Sequence, residues 1–293
     1  MTFPEYLSAN PMMFAVICGV LGLLIGSFLN VMIFRLPVMM EREWREQCEM
    51  LLAEDDEDVN ELSGNDRFNL AKPDSRCPKC KKPIAFWENI PVISYALLRG
   101  KCRHCQTRIS FRYPLVELIT ALLSVAVALH FGFSMQVLFA LILTWALIAL
   151  TFIDYDTQLL PDDITLPLIW LGLLISLGNV FVDSTTSIIG AVAGYLSLWL
   201  VYQTFKLLTG KEGMGFGDFK LLALLGAWLG WQMLPVVILL SSFAGAIIGI
   251  SLVVFKKHNK DKPIPFGPYL AIAGWIALLY GNAIVDAYIK LTF

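Results

Sequence analysis

The chain has 293 residues, of which 57% are hydrophobic and only 16% are charged, with a formal net charge of −2. The mean hydropathy is +0.67. This composition excludes an ordinary water-soluble globular domain, because such domains carry about 25% charged residues. It predicts a protein whose surroundings are mostly lipid.

Eight apolar stretches approach the length of about twenty residues that crosses a bilayer. The first is too long for a secretory signal, lacks a preceding basic flank and has no small-residue cleavage site, so it is interpreted as a retained span. The sequence therefore predicts an all-α polytopic membrane protein with about eight transmembrane helices. The stretches lie near residues 12–34, 114–132, 135–153, 164–182, 186–208, 219–232, 234–255 and 268–288.

The basic residues predict the orientation of these spans. With eight spans, the side that holds both termini carries a single basic residue, Lys290, and the other side carries the remaining Lys and Arg residues. Positive residues stay on the cytoplasmic side, so both termini are expected to face outward. Since the charges are segregated by side, the net charge decides nothing about partners.

Three regions follow from this pattern: a first span over residues 1–36, a cytoplasmic loop domain over 37–113, and a membrane domain of about seven spans over 114–293. Within the loop, residues 41–66 end in an acidic run that is interpreted as a solvated, partly disordered strip. The basic residues of the loop are balanced by acidic ones, which excludes a nucleic-acid interface.

The loop also contains two CxxC pairs, "CPKC" at 77–80 and "CRHC" at 102–105. Four thiolates in two tight turns complete the tetrahedral shell of structural zinc, with Cys77, Cys80, Cys102 and Cys105 as ligands. Disulfides are the competing interpretation, but the loop is placed in the cytoplasm, where thiols are reduced. A redox-active CxxC is a further alternative. A closed four-Cys shell leaves no position for substrate.

Acidic residues near lipid are costly and call for an explanation. Asp162 or Asp163, just after Pro161, is placed to cap the fourth span. Asp156 is expected to be a solvated loop carboxylate, and Glu117 to pair with Arg112 or reach toward the interface.

Such roles in capping, solvation or ion pairing fit Asp154 and Asp218 less well. Asp154 directly closes the third span, and Asp218 follows three alternate glycines in "GMGFGDFK". Alternate glycines allow positive φ and close backbone approach. The stretch is not a G-x-G-x-x-G phosphate loop. Two neighbouring carboxylates at a partly dry interface share one proton, so one activates water while the other polarises a peptide carbonyl. That is aspartic protease chemistry.

"GMGFGDFK" together with "IDYDTQLLPDDITLP" resembles the bacterial type IV prepilin peptidases, which are GxGD aspartyl proteases. The stretches "GLLIGSFLNVMIFRLP", "WENIPVISYALLRGKCRHC" and "ISFRYPLVELIT" agree with the same family, and the similarity covers nearly the whole chain. The acidic insertion at 41–66 is the least similar part.

The resemblance implies that Asp154 and Asp218 are the catalytic pair, with Asp156 a rival for the first place. It also implies cleavage of the basic leader of prepilins or pseudopilins on the cytoplasmic side of the inner membrane, and methylation of the new N-terminus with S-adenosylmethionine. The loop around Glu88, Asn89 and Gly100 is the expected neighbourhood of the methyl donor.

Two alternatives remain at this point. A monofunctional peptidase would use the loop only as a structural or partner-binding domain. A polytopic transporter with a zinc-bound docking loop would carry relay acids near mid-span, whereas these acids cluster at the predicted cytoplasmic ends. The sequence favours no particular oligomeric state.

Overall fold

The computed structural model of the chain describes residues 2–52, 68–77, 79–85, 88, 90–254 and 264–292. Residues 53–66 of the acidic insertion therefore lie outside the described residues. The chain forms two compact units. The first unit comprises Met1–Phe14 and Val127–Phe293, and the second unit comprises Ala15–Ala126.

The described residues are mainly helical, and extended structure within them is limited to two isolated β-bridges, Arg76 with Pro83 and Lys101 with Arg108. A 3₁₀ turn lies at Trp231–Met233. In chain order the α-helices are α1 Phe3–Ala9, α2 Pro11–Leu52, α3 Ile93–Leu97, α4 Arg112–Phe131, α5 Met135–Thr157, α6 Asp162–Ser176, α7 Ser184–Thr209, α8 Phe216–Leu229, α9 Leu234–Val254 and α10 Gly267–Thr292.

Among these described segments, six are long and apolar enough to cross a membrane. The prediction of a helical polytopic membrane protein is therefore confirmed. Each of the eight predicted stretches coincides for most of its length with one helix, but α6 has only 15 residues and α8 only 14. At 1.5 Å per residue they rise about 22 and 21 Å, less than the hydrocarbon core of about 30 Å. A count of eight complete spans stays a prediction.

Helix α2 continues beyond the predicted end of the first span. It has 42 residues and contains Pro37, the position at which the loop domain was expected to begin. At about 63 Å it is twice as long as the hydrocarbon core is thick. Its polar end carries an i,i+4 ion pair between Glu41 and Arg45, 3.1 Å apart, of the kind that supports helices in water. The fall in hydropathy near residue 37 therefore marks a change of surroundings rather than the end of the helix.

In the second unit, α2 packs against α4 through glycines. A Cβ at Gly22 would lie 2.8 Å from the Cα of Ala121, and one at Gly26 would lie 2.7 Å from the Cα of Glu117. The contacts run in opposite directions along the two helices, so the pair is antiparallel. Small residues at such positions let two membrane helices approach to backbone contact.

In the first unit, α8 is the central helix. All its residues from Asp218 to Leu229 except Lys220 are buried. Gly190 of α7 and Gly226 of α8 meet so closely that a Cβ on either would overlap the carbonyl of the other, and a Cβ at Gly194 would lie 2.5 Å from the Leu222 carbonyl oxygen. The Ser187 hydroxyl donates a 2.6 Å hydrogen bond to the Ala227 carbonyl. These contacts join α7 and α8 backbone to backbone.

Helices α6 and α10 contact α8 through larger side chains. Trp228 is fully buried and its indole N–H donates a 2.8 Å hydrogen bond to the Leu168 carbonyl in α6. Gly274 of α10 accommodates the side chain of Leu225. On its other side α10 meets α5, where the Trp275 indole donates to the Thr144 hydroxyl at 3.1 Å. Helix α8 is thus enclosed by α6, α7 and α10.

Substituting Gly226 by Ala is expected to destabilise the protein, because the added methyl group overlaps the Gly190 carbonyl and the two helices must separate. Overpacking of this kind costs about 1–3 kcal/mol. Thermal unfolding of the protein in detergent should show a lower midpoint. Gly249→Ala in α9 is the matched control, since among the described residues its Cβ would meet only Ile264, at 3.7 Å. Equal midpoints for the two variants would contradict the packing described here.

Candidate active site and cysteine cluster

Asp154 lies in the last turn of α5 and is buried, with 5% of its surface exposed. Its Oδ2 atom is buried and has no hydrogen-bond partner among the described residues. An unsatisfied buried oxygen is costly in a folded protein, so its retention calls for a functional explanation. The next two residues, Tyr155 and Asp156, are exposed.

Asp218 lies in the first turn of α8, and Gly215 is the N-cap of that helix. The side chain is 8% exposed, and its carboxylate interacts electrostatically with that of Asp154. Helix α8 therefore begins close to the point where α5 ends. The structure brings together the two acids that the sequence singled out.

The three glycines before Asp218 differ in what surrounds them. A Cβ at Gly217 would lie 2.7 Å from the Cβ of Leu160, and one at Gly213 would lie 2.8 Å from the ring of Phe205. A Cβ at Gly215 would meet no described residue within 4 Å. None of the three has a positive φ. Gly213 and Gly217 are closely packed against side chains of the same chain, and the approach of a substrate backbone stays a prediction. The expectation of positive φ is wrong for all three glycines.

Gly267, the first residue of α10, is a third component of the site that the sequence analysis missed. A Cβ there would lie 2.6 Å from Asp154 Oδ2 and 3.2 Å from Leu160 Cδ1. The start of α10 is thus in contact with the Asp154 carboxylate. The "FGP" sequence at the start of the last helix was the available signal, since glycine before a helix permits close approach to a neighbouring group.

Leu160 joins these elements, because it contacts both Gly217 and Gly267. The turn between α5 and α6 therefore packs against the starts of α8 and α10.

The expected cap of α6 is wrong. Pro161 occupies the N-cap position, and no side chain forms a capping hydrogen bond there. Asp162 instead binds Lys220, whose ammonium group lies 2.7 Å from both carboxylate oxygens. This ion pair connects the first turn of α6 to the first turn of α8, close to Asp218. Asp163 is exposed.

The four cysteines of the second unit form one cluster. Their Sγ atoms all lie within 4.8 Å of one another, and the Sγ atoms of Cys77 and Cys105 are 3.7 Å apart. Four sulfurs at about 2.3 Å from a central zinc ion would be about 3.8 Å apart. The cluster therefore has the donor set and the spacing that a tetrahedral zinc site requires. No disulfide joins the four thiols.

The two CxxC turns have the same backbone pattern. In the first turn, the amide of Cys77 donates to the Lys82 carbonyl, and the amide of Lys81 donates to the Cys77 carbonyl. In the second turn, the amide of Cys102 donates to the Thr107 carbonyl, and the amide of Gln106 donates to the Cys102 carbonyl. The residue after each second cysteine has a positive φ: +58° at Lys81 and +56° at Gln106. Each turn thus aims two thiols at a common point.

The residues expected near a methyl donor are engaged within the loop. The backbone amide of Ala85 and the Arg103 guanidinium both hydrogen-bond the Glu88 carboxylate at 3.2 Å, and they hold the pKa of Glu88 below its ordinary value. Gly100 has a φ of +67°, and its Cα faces the Tyr95 ring. Asn89 lies outside the described residues. Which residues contact the donor stays a prediction.

Two family profiles cover most of the chain. Residues 20–131 match the profile described as the bacterial peptidase A24 N-terminal domain. Residues 141–250 match the profile described as the type IV leader peptidase family. The second match includes both Asp154 and Asp218, and the first includes all four clustered cysteines.

Several curated proteins are similar over almost their full length, and each is named prepilin leader peptidase/N-methyltransferase. The Aeromonas hydrophila protein is 60% identical over 92% of this chain and 91% of its own. The Stutzerimonas stutzeri protein is 55% identical over 99% of both chains, and that of Pseudomonas aeruginosa is 53% identical over 98% and 97%. No solved structure gives a significant match. The chain, with its paired aspartates and four-cysteine cluster, belongs to the type IV leader peptidase family.

Proposed function

We propose that this protein is a membrane-embedded aspartic endopeptidase that removes the leader peptide of type IV prepilins or pseudopilins and then methylates the new N-terminal residue. The observation that carries the peptidase is the burial of Asp154 and Asp218, whose carboxylates interact electrostatically, with Asp154 Oδ2 lacking a partner among the described residues. The names of the full-length relatives support both the substrate class and the methyl transfer.

In the proposed mechanism the two carboxylates share one proton across a water molecule. The ionised carboxylate takes a proton from the water as its oxygen attacks the scissile carbonyl carbon, and the protonated carboxyl group donates a hydrogen bond to the carbonyl oxygen. Collapse of the tetrahedral intermediate breaks the C–N bond, and the amine leaves with a proton from one of the carboxyl groups. Asp154 Oδ2, which has no hydrogen-bond partner among the described residues, would accept a hydrogen bond from that water.

The substrate is proposed to approach from the lipid. An apolar cleft of about 410 Å³ lies between α7, α9 and the start of α10. Its lining includes Met214, from the glycine turn before Asp218, and Phe266, the residue before Gly267. Leu198 of α7 and the small residues Ser242 and Gly245 of α9 also line the cleft. An apolar substrate segment in the cleft would therefore end beside the two acids.

The active site is proposed to face the cytoplasm, and the membrane to be the bacterial inner membrane. The support is the distribution of basic residues, which favours the side on which α5 ends and α8 begins.

The four-cysteine cluster is proposed to hold one zinc ion with a structural role. The four thiolates occupy the whole tetrahedral shell, so the ion fixes the two turns relative to each other and offers no position to substrate.

S-adenosylmethionine, when bound, supplies an electrophilic methyl group. The loop between the two CxxC turns is the proposed neighbourhood of that reaction. The residues of the chain must hold the new amine unprotonated and aligned, because only the free amine has the lone pair that forms the new N–C bond.

Asp154→Asn and Asp218→Asn should each reduce leader cleavage by at least about a hundredfold, because neither amide can carry the shared proton. Intact mass analysis of a synthetic prepilin segment incubated with the purified protein measures the loss of the leader. Asp156→Asn and Asp163→Asn are the matched controls, since both carboxylates are exposed in the same region, and they should cleave normally. Full activity of Asp154→Asn together with inactivity of Asp156→Asn would transfer the role to Asp156.

Gly217→Ala should reduce cleavage about tenfold to a hundredfold, because its methyl group meets Leu160 and displaces the first turn of α8, which carries Asp218. Gly215→Ala, two residues away in the same motif, has open space around its Cβ and should be nearly neutral. The same mass assay compares the two variants. Equal loss of activity in both would mean that the motif requires glycine for a reason other than this contact.

Elemental analysis of the purified protein should find about one zinc ion per chain, as expected for a four-thiolate site. Cys80→Ser should lower the zinc content and make the second unit more susceptible to proteolysis. Cys48→Ser changes an exposed cysteine of α2 outside the cluster and should leave the zinc content unchanged. Retention of zinc after loss of Cys80 would exclude the cluster as its site.

A further inference from the structure

Glu117 is a buried carboxylate in α4 that the peptidase mechanism does not use. It is 8% exposed, and it lies against Gly26 of α2. Its Oε2 atom accepts a 2.8 Å hydrogen bond from the backbone amide of Val92, and the Ser27 hydroxyl also hydrogen-bonds the carboxylate. The side chain therefore does not reach out to the interface but binds the loop that joins the two CxxC turns.

Val92 has a backbone conformation that side chains with a branched Cβ avoid. Its φ is +58° and its ψ is −46°, and the amide of Ile93 donates back to the Pro91 carbonyl at 2.5 Å. This is the strained, positive-φ form of the γ-turn. Conformations of this kind persist only where the surrounding structure holds them, and they concentrate at functional sites. At this turn the Glu117 carboxylate accepts the hydrogen bond of the Val92 amide.

The strained turn is connected to the second CxxC turn by continuous hydrogen bonding. Val92 is the N-cap of α3 and its carbonyl accepts from Ala96. Directly after α3, the Gly100 amide donates to the Tyr95 carbonyl, and the Gly100 carbonyl accepts from Ile109 at 2.7 Å. Lys101, the residue before Cys102, forms a β-bridge with Arg108. A displacement of Val92 would therefore be transmitted through α3 to the second CxxC turn.

We infer that Glu117 is a positioning residue for methyl transfer: by holding Val92 in its strained turn, it fixes the segment Ile90–Lys101 in the arrangement that the reaction requires. The inference rests on the proposed function. It assigns Glu117 to the second activity and not to leader cleavage, because all its described contacts are made within the second unit.

The experiment uses the full-length protein in detergent with a synthetic prepilin segment and S-adenosylmethionine, and measures leader loss and methylation separately by intact mass. Glu117→Leu removes the acceptor and should slow methylation by at least about tenfold, the effect of losing a hydrogen bond to a charged group. The rate of leader loss, measured in the same reactions, should change less than about twofold. Glu117→Gln keeps a carbonyl oxygen for Val92 and should retain most of the methylation.

The decisive variant combines Glu117→Leu with Val92→Gly. Glycine adopts positive φ without strain, so the turn no longer needs the carboxylate, and methylation should return toward the wild-type rate. Amide hydrogen exchange of α3, measured without S-adenosylmethionine, should be faster in Glu117→Leu and slow again in the double variant. If Glu117→Leu does not accumulate as folded protein, Glu117→Asp, whose shorter side chain withdraws from Val92, replaces it in the same comparison.

Unchanged methylation in Glu117→Leu would overturn the inference. Equal loss of both activities, or failure of Val92→Gly to restore either methylation or slow exchange, would also overturn it, since Glu117 would then serve only general stability. A wild-type protein that cleaves but does not methylate would refute the proposed methyl transfer itself. That outcome is distinguishable from failure of the inference about Glu117, because the hydrogen-exchange measurement still reports whether Glu117 holds the turn.

Discussion

The backbone contact between α7 and α8 at Gly190 and Gly226 is the constraint on which the first unit depends. With no side chain between them, the two helices approach as closely as their carbonyl groups allow. This closeness leaves α6 and α10 free to cover the remaining faces of α8. From Asp218 to Leu229, α8 is consequently buried except at Lys220, and the start of this helix cannot shift without separating those helices. A carboxylate at that position is held rigidly although it lies at the end of a short helix.

Much of this arrangement is predictable from the sequence, for a physical reason. Apolar stretches must be helical in lipid, because their backbone groups have no other hydrogen-bond partners there. The same cost of burial singles out Asp154 and Asp218, since few other acids directly adjoin an apolar stretch. The CxxC spacing likewise predicts the cysteine cluster, because two short turns suffice to converge four thiols.

The contacts made by small or strained residues could not be predicted in this way. Gly267 and Leu160 enter the site only because α10 and the α5–α6 turn pack there, and hydropathy does not report packing partners. The prediction that Asp162 or Asp163 caps α6 fails for a related reason: Lys220, which binds Asp162, lies 58 residues away in sequence. Similarly, nothing local to Val92 indicates positive φ, because the group that stabilises it, Glu117, is on another helix.

The shortness of α6 has a consequence for water. A helix of 15 residues is about 8 Å shorter than the hydrocarbon core, and its outward side chains Trp170 and Leu174 are exposed to the surroundings of the protein. Such hydrophobic mismatch is met by thinning of the bilayer or by polar groups reaching inward. If α6 spans the bilayer, thinning beside it would lower the membrane surface near the turn that links α5 to α6. Water would then come closer to Asp154, which lies in the last turn of α5, just before that connection.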